Sequence, residues 1–338
     1  MNELRITLKT LTPIWTGGVD GTCDRLHETG LIGSLRWWYE AIVRGLGGYA
    51  CDPTSEDRCP DKDGNHCVVC ELFGCTGWAR KFRLQLLTMP EIKQRAIPAE
   101  QSLNIAIVPL RHIEDEEWCL LHATFRLVSK YGAIGGKTIF KPSDEQSRQD
   151  EFHHLDFGLV KIEFPEGDLC SAKTLDEIRT YVTSTRWRSG THKYRAKDGK
   201  EHDYSWASLQ NFWAVQGRYL ARQDTQQSTY NRVLGRKEDK SVKEKRGNRV
   251  IRWSDFLAKR EDDVSHWLAG SQQESKKVFS FSYPEGQRTF GFVKPGLVDF
   301  KEIKERLKQV WPNFDPDKEF IMGEQILKDI FTAGGGAA

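Results

Sequence analysis

The sequence predicts an α+β protein of two domains, each built on a small antiparallel sheet covered by helices, the second carrying extra helices. Three observations lead there. The 338 residues suit two domains better than one. The first 165 residues read as strand, helix, strand, strand, helix, strand. The remainder alternates helical stretches with one clear hairpin. Apolar residues at 38% and charged residues at 29% fit a folded soluble chain, and no run of 18 or more apolar residues offers a membrane span. The first ten residues carry charges and no cleavage signal, so a secretory leader is not expected. With eight cysteines in so long a chain, a reducing, cytoplasmic setting is expected in place of a disulfide framework.

Leu4–Leu11 alternates apolar and polar residues and is predicted as a half-buried strand. After a glycine-bearing loop, Ser34 is placed to cap a helix whose Leu35, Trp38, Tyr39, Ile42, Val43 and Leu46 share one face. Arg36, Glu40 and Arg44 occupy the opposite face at four-residue spacing, and Gly47-Gly48 close the helix. A polar, cysteine-rich insertion occupies 51–75. Arg80–Leu87 and Leu103–Leu110 read as strands, Asp115–Tyr131 as a helix with acids in its first turn, and Phe157–Phe164 as the last strand. This order is the ferredoxin-like (RRM-like) arrangement, two helices on one face of four antiparallel strands. Beyond it, 174–182, 206–222, 254–268, 300–310 and 323–331 are predicted helices, and Lys277–Tyr283 with Arg288–Val293 a hairpin. The expected division is 1–165, 166–331 and a disordered tail, 332–338.

The formal net charge of +2 names no partner, and its distribution says more. Arg232–Arg252 holds nine Lys or Arg against three acids, and Arg186–Lys200 six against one. Such blocks suit polyanions. Gly132–Thr138 misses the P-loop pattern by one position and follows a helix where a P-loop follows a strand, so a nucleotide is not expected. With Lys137 and Lys141 this loop can still offer amides and positive charge to phosphates. Arg25, Arg36, Arg44, Lys137 and Lys141 fall at one edge of the predicted first domain, with Trp15, Trp37 and Trp78 as candidate base stackers, the composition that single-stranded RNA requires. His27, beside Glu28, is the candidate proton-transfer residue of a metal-free ribonuclease, though no second such group accompanies it. Cys67-Val-Val-Cys70 has the spacing of zinc ligands; with Cys59 and Cys75 it forms the candidate set for a structural zinc, the only cofactor in prospect and not one the function requires.

Thr12-Pro-Ile-Trp-Thr-Gly-Gly, then Glu28-Thr-Gly-Leu-Ile-Gly-Ser-Leu-Arg-Trp-Trp-Tyr-Glu, resembles the opening motif of the RAMP superfamily, the repeat-associated RNA-binding proteins of CRISPR systems. The run from Trp38 to Gly48 and Cys70-Glu-Leu-Phe-Gly-Cys are similar to first-numbered subunits of the Cmr module, the type III-B effector. The resemblance implies two ferredoxin-like domains and a non-catalytic subunit that binds guide or target RNA among the other Cmr subunits. It implies RNA contacts at Thr16, Gly17, Gly18, Arg25, Gly33, Ser34, Arg36, Gly135, Gly136 and Lys137. The alternatives are a ribonuclease acting through His27 and a structural adaptor without RNA contact.

Overall fold

A computed structural model describes residues 3–136, 142–145, 154–165, 173–197, 199, 201–222, 228–235, 245–246, 249–250, 262–270 and 274–332. The chain divides into two units, both discontinuous. Unit 1 comprises Met1–Thr138, Phe157–Phe212 and Met322–Ala338; unit 2 comprises Ile139–Asp156 and Trp213–Ile321. The chain crosses between the units at 138, 156, 212 and 321. The expected tail, apart from Thr332, lies outside the described residues.

Unit 1 contains β1 (Leu4–Thr10), α1 (Glu28–Gly45), α2 (Val68–Phe73), β2 (Phe82–Leu86), β3 (Ser102–Pro109), α3 (Asp115–Lys130), β4 (Val160–Pro165), α4 (Leu175–Val182), and the short ribbon β5 (Lys193–Arg195) with β6 (Glu201–Asp203). Its sheet runs β2-β3-β1-β4, every pair antiparallel, which is the ferredoxin-like order. Alternation sets the register. Leu4, Ile6 and Leu8 are buried, with Ile6 opposite Ile105 and Leu8 opposite Leu103. Capping fixes α3: Glu117 reaches back to the Glu114 N–H at 2.8 Å while acids fill the first turn.

Unit 2 follows the same plan: β7 (Phe212–Gln216), α5 (Thr229–Val233), the ribbon β8 (Lys245–Arg246) and β9 (Arg249–Val250), α6 (Asp263–Ala269), β10 (Val278–Phe281), β11 (Arg288–Phe292), α7 (Phe300–Lys308) and β12 (Phe320–Met322). The sheet order β10-β11-β7-β12 repeats that of unit 1, strand for strand. Then α8 (Gly323–Phe331) goes back to unit 1, where Arg126 donates to the carbonyls of Ile330 and Thr332 and Lys130 pairs with Asp329.

Two predicted elements are corrected. The helix expected from Ser34 starts at Glu28, because Leu31 and Leu35 extend the apolar face by a turn and Gly30 and Gly33 are accommodated inside it. The helix expected over 206–222 is instead a 3₁₀ turn and β7. Phe212, Trp213, Ala214 and Val215 are all buried, and a run apolar on both sides is a central strand. Of the helix expected over 254–268, only α6 falls among the described residues. None of the helices among these residues is long and apolar enough to cross a membrane.

Candidate nucleic-acid interface and metal centre

Beyond β1 the chain is pinned before it turns outward. Leu11 N–H donates to Leu159 O at 2.9 Å, and Ile14 exchanges two backbone bonds with Ile97. The next residue, Trp15, organises the loop. Its carbonyl accepts the Gly136 N–H at 2.8 Å, and its half-buried indole lies between Gly17 and Gly136. A Cβ at Gly17 would come within 2.6 Å of the ring and one at Gly136 within 3.2 Å, so the indole leaves no room for a side chain at Gly17 and little at Gly136. Gly135 has φ +116, where an L side chain is strained, and its N–H donates to Ser34 Oγ at 3.3 Å. The structure thus sets Gly17, Gly135 and Gly136 against Trp15, with Ser34 joined through Gly135, while Gly18 lies against His27 and Asp20.

Thr16 is fully buried. Its Oγ1 accepts the His27 N–H at 2.9 Å and contacts Arg25 O at 3.3 Å, which ties the loop to the first residues of α1. Gly18 and Thr22 close a tight turn, with Thr22 held by Asp20 and Val19 at its exposed tip. His27 Nε2 lies 2.7 Å from Asp24 Oδ1, and that bond holds the Asp24 carboxyl below its ordinary range. Arg25 is half-exposed and paired with Glu28 at 2.9 Å. Gly33 is exposed, and a Cβ there would meet nothing within 4 Å, so it leaves a stretch of bare helix backbone on the surface. Thr16, Ser34 and Gly135 therefore shape the loop from inside, whereas Gly17, Gly18, Arg25, Gly33 and Gly136 face outward in whole or in part. Ser34 lies inside α1 and is not the cap that the sequence suggests, the helix opening at His27 and Glu28. Lys137 and Lys141 lie outside the described residues.

Arg36 and Arg44 are corrected as surface cations. Arg36 donates to Glu40 Oε1 at 2.9 Å, Gly74 O at 2.9 Å and Cys70 Sγ at 3.1 Å. Arg44, with a side chain only 4% exposed, donates to the carbonyls of Ala207, Ala50 and Cys51 and to Glu40. Burial pushes the Glu40 carboxyl up against the pull of both arginines. This charged stripe reads in sequence as solvated, but the cysteine-rich insertion and residues near 207 cover it. Two of the predicted stackers are also engaged internally. Trp37 meets Trp38 edge-on at 4.8 Å, and Trp78 stacks on His66 at 4.5 Å beneath Arg111.

The insertion gathers Cys51, Cys59, Cys67 and Cys70, all buried, with their sulfurs within 4.8 Å of one another. Cys51 takes the place expected for Cys75. It follows directly on the turn that ends α1, whereas Cys75 lies beyond Gly74 in a half-buried turn with Trp78. Cys67 opens α2 and Cys70 lies one turn later, so the two-residue gap puts both sulfurs on one side of a helix. Four converging thiols at this separation can hold a metal ion.

Residues 7–140 match the family model of the RAMP superfamily. No curated protein matches the chain. Among solved structures, the chain is similar to Cmr1 from Pyrococcus furiosus in its apo form, at 9% identity and a TM-score of 0.44 over 97% of each chain. It is also similar to a chain of the type III-B Cmr-beta complex bound to cognate target RNA, at 10% identity and a TM-score of 0.42, covering 98% of this chain and 99% of that one.

Proposed function

We propose, with the RAMP superfamily match over residues 7–140 as premise, that the chain is a non-catalytic RNA-binding subunit of a type III-B CRISPR effector. On this reading it works in the cytoplasm beside other Cmr subunits and contacts guide or target RNA. The observation that carries the reading is the glycine cluster around Trp15. Backbone is exposed at Gly33 and Gly136 and partly so at Gly17 and Gly18, Arg25 is half-exposed, and Lys137 and Lys141 follow Gly136 in sequence. Bare backbone lets a sugar-phosphate chain approach closely, and the cations neutralise it without reading bases. His27 Nε2 is engaged by the Asp24 carboxylate at 2.7 Å and its side chain is largely covered, which supports binding without cleavage. The four thiols leave no open coordination position, which supports a structural zinc over a catalytic one.

Binding of single-stranded RNA by the purified chain across a salt series tests this. Log K is expected to fall by about 0.7 per neutralised phosphate against log salt. Arg25→Ala and Lys137→Ala should each make that slope shallower by roughly one phosphate. RNA should be recovered intact, with His27→Ala behaving as the parent. Absence of binding at low salt would overturn the reading in favour of an adaptor, and cleavage lost in His27→Ala would overturn it in favour of a ribonuclease.

A further inference from the structure

Three hydrogen-bond donors converge on the sulfurs of the four-cysteine cluster, from three separate parts of the chain. Arg36 Nη2 from α1 lies 3.1 Å from Cys70 Sγ. Arg188 Nη1, from the stretch between α4 and β5, lies 3.5 Å from Cys59 Sγ. The Cys67 N–H lies 3.3 Å from Cys59 Sγ. Neither guanidinium is on open surface, the side chains being 16% and 13% exposed.

A neutral thiol is a weak acceptor and gives little in return for a desolvated guanidinium. The nearby carboxylates leave both guanidinium groups with a nitrogen turned to sulfur. Glu40 is shared between Arg36 and Arg44, so two guanidinium groups face one acid. Arg188 pairs with Asp57 Oδ1 at 2.5 Å and with Asp61 at 3.8 Å, and its Nη1, which donates to the Asp57 carbonyl at 2.9 Å, also lies 3.5 Å from Cys59 Sγ. A zinc-bound thiolate is the acceptor these donors fit, because metal binding removes the thiol proton and leaves charge on the sulfur. The sulfur spacing agrees. Cys51 and Cys70 are 3.6 Å apart and all four lie within 4.8 Å, as thiolates about 2.3 Å from one tetrahedral ion require.

We propose that Arg36 and Arg188 are outer-shell positioning residues of a zinc tetrathiolate formed by Cys51, Cys59, Cys67 and Cys70. They orient the ligating sulfurs and, through them, fasten α1 and the 184–192 stretch to the insertion. This rests on the structural-zinc reading given above and adds to it a role for two arginines. Arg188 makes the link in both directions. It donates to Asp57 Oδ1 and to the Asp57 carbonyl, its backbone N–H donates to His66 O at 3.0 Å, and it lies over the Tyr49 ring. Tyr49 and Tyr204 both donate to Asp57. Removing the metal would therefore loosen the stretch from 184 to 204 as well as the insertion.

The test uses the full chain purified without added metal. Elemental analysis is expected to give one zinc per chain, lost in Cys51→Ser and kept in Cys75→Ser. Competition with a chromophoric chelator should show zinc held roughly 10–100-fold more weakly in Arg188→Met and Arg36→Met. Loosened packing alone would also weaken binding, so the cobalt-substituted proteins supply a second readout. The sulfur-to-cobalt charge-transfer bands should shift in both Met variants and move back toward the parent in Arg188→Lys. A parent protein that holds iron or no metal, or has its thiols paired as disulfides, overturns the zinc reading itself. Zinc bound as tightly in both Met variants, with unshifted cobalt bands, overturns the role of the arginines and leaves the zinc site standing.

Discussion

Lys81 Nζ holds both carboxylate oxygens of Glu117, at 3.0 and 2.9 Å, and reaches Glu71 at 2.6 Å. The lysine side chain is 5% exposed and Glu117 not at all, so one buried ammonium joins α2, the start of β2 and α3. Burial pushes the Glu117 carboxyl up, against the pull of Lys81.

Removing the ammonium strands a buried carboxylate. Lys81→Met is expected to lower unfolding stability by about 3–5 kcal/mol, and Lys81→Met combined with Glu117→Gln by clearly less than the two changes summed. Urea denaturation of the full chain reads both. Strict additivity would mean that the pair is not coupled.

Gly33 and Gly135 should respond in opposite ways. Gly33 is a helical glycine with open space around it, so Gly33→Ala should stabilise the fold by about 1 kcal/mol. If RNA runs over that bare backbone, the same change should weaken RNA binding. Gly135→Ala puts a Cβ 3.0 Å from Trp15 O at a positive φ and should destabilise by roughly 1–3 kcal/mol. Thermal melting paired with RNA titration separates the effects, and unchanged affinity in Gly33→Ala would move the strand off α1.

His192 gives unit 1 an acid sensitivity. Burial, then the charge of Arg44, lowers its pKa to about 4, and its Nε2 accepts the Ala50 N–H at 3.3 Å, which requires the neutral ring. The unfolded chain takes up that proton near pH 6.5 and the folded chain only near 4, so stability is lost as pH falls through this window. A plot of Tm against pH between 6.5 and 5 should be flatter for His192→Gln than for the parent. Parallel profiles would remove His192 as the sensor.

Periodicity alone located β1, α3, α7, α8 and the β10–β11 hairpin, because each carries its own pattern or caps. Where contacts distant in sequence decided, it fell short. The start of α1 depends on Thr16, eleven residues before the His27 N–H it holds. The Arg36–Glu40–Arg44 stripe looks solvated until the insertion folds over it. Cys51 rather than Cys75 joins the cluster because the chain leaving α1 turns back on α2, and spacing records no such turn. By contrast, the loops around Trp15 were legible as a set, since glycines at 17, 18, 135 and 136 have no side chains to hinder a close approach of backbones.

The path of α8 has a consequence for biosynthesis. Its Ile326, Leu327 and Ile330 are buried, and Asp329 meets Lys130 and the Tyr131 hydroxyl. The ribosome must therefore deliver all of unit 2 before the last helix of unit 1 exists. Until Phe331 has emerged, α3 waits with an uncovered apolar side, and a fragment ended at residue 165 or 212 never acquires its cover. What sequence position presents as the end of the second half is, for folding, the closing step of the first.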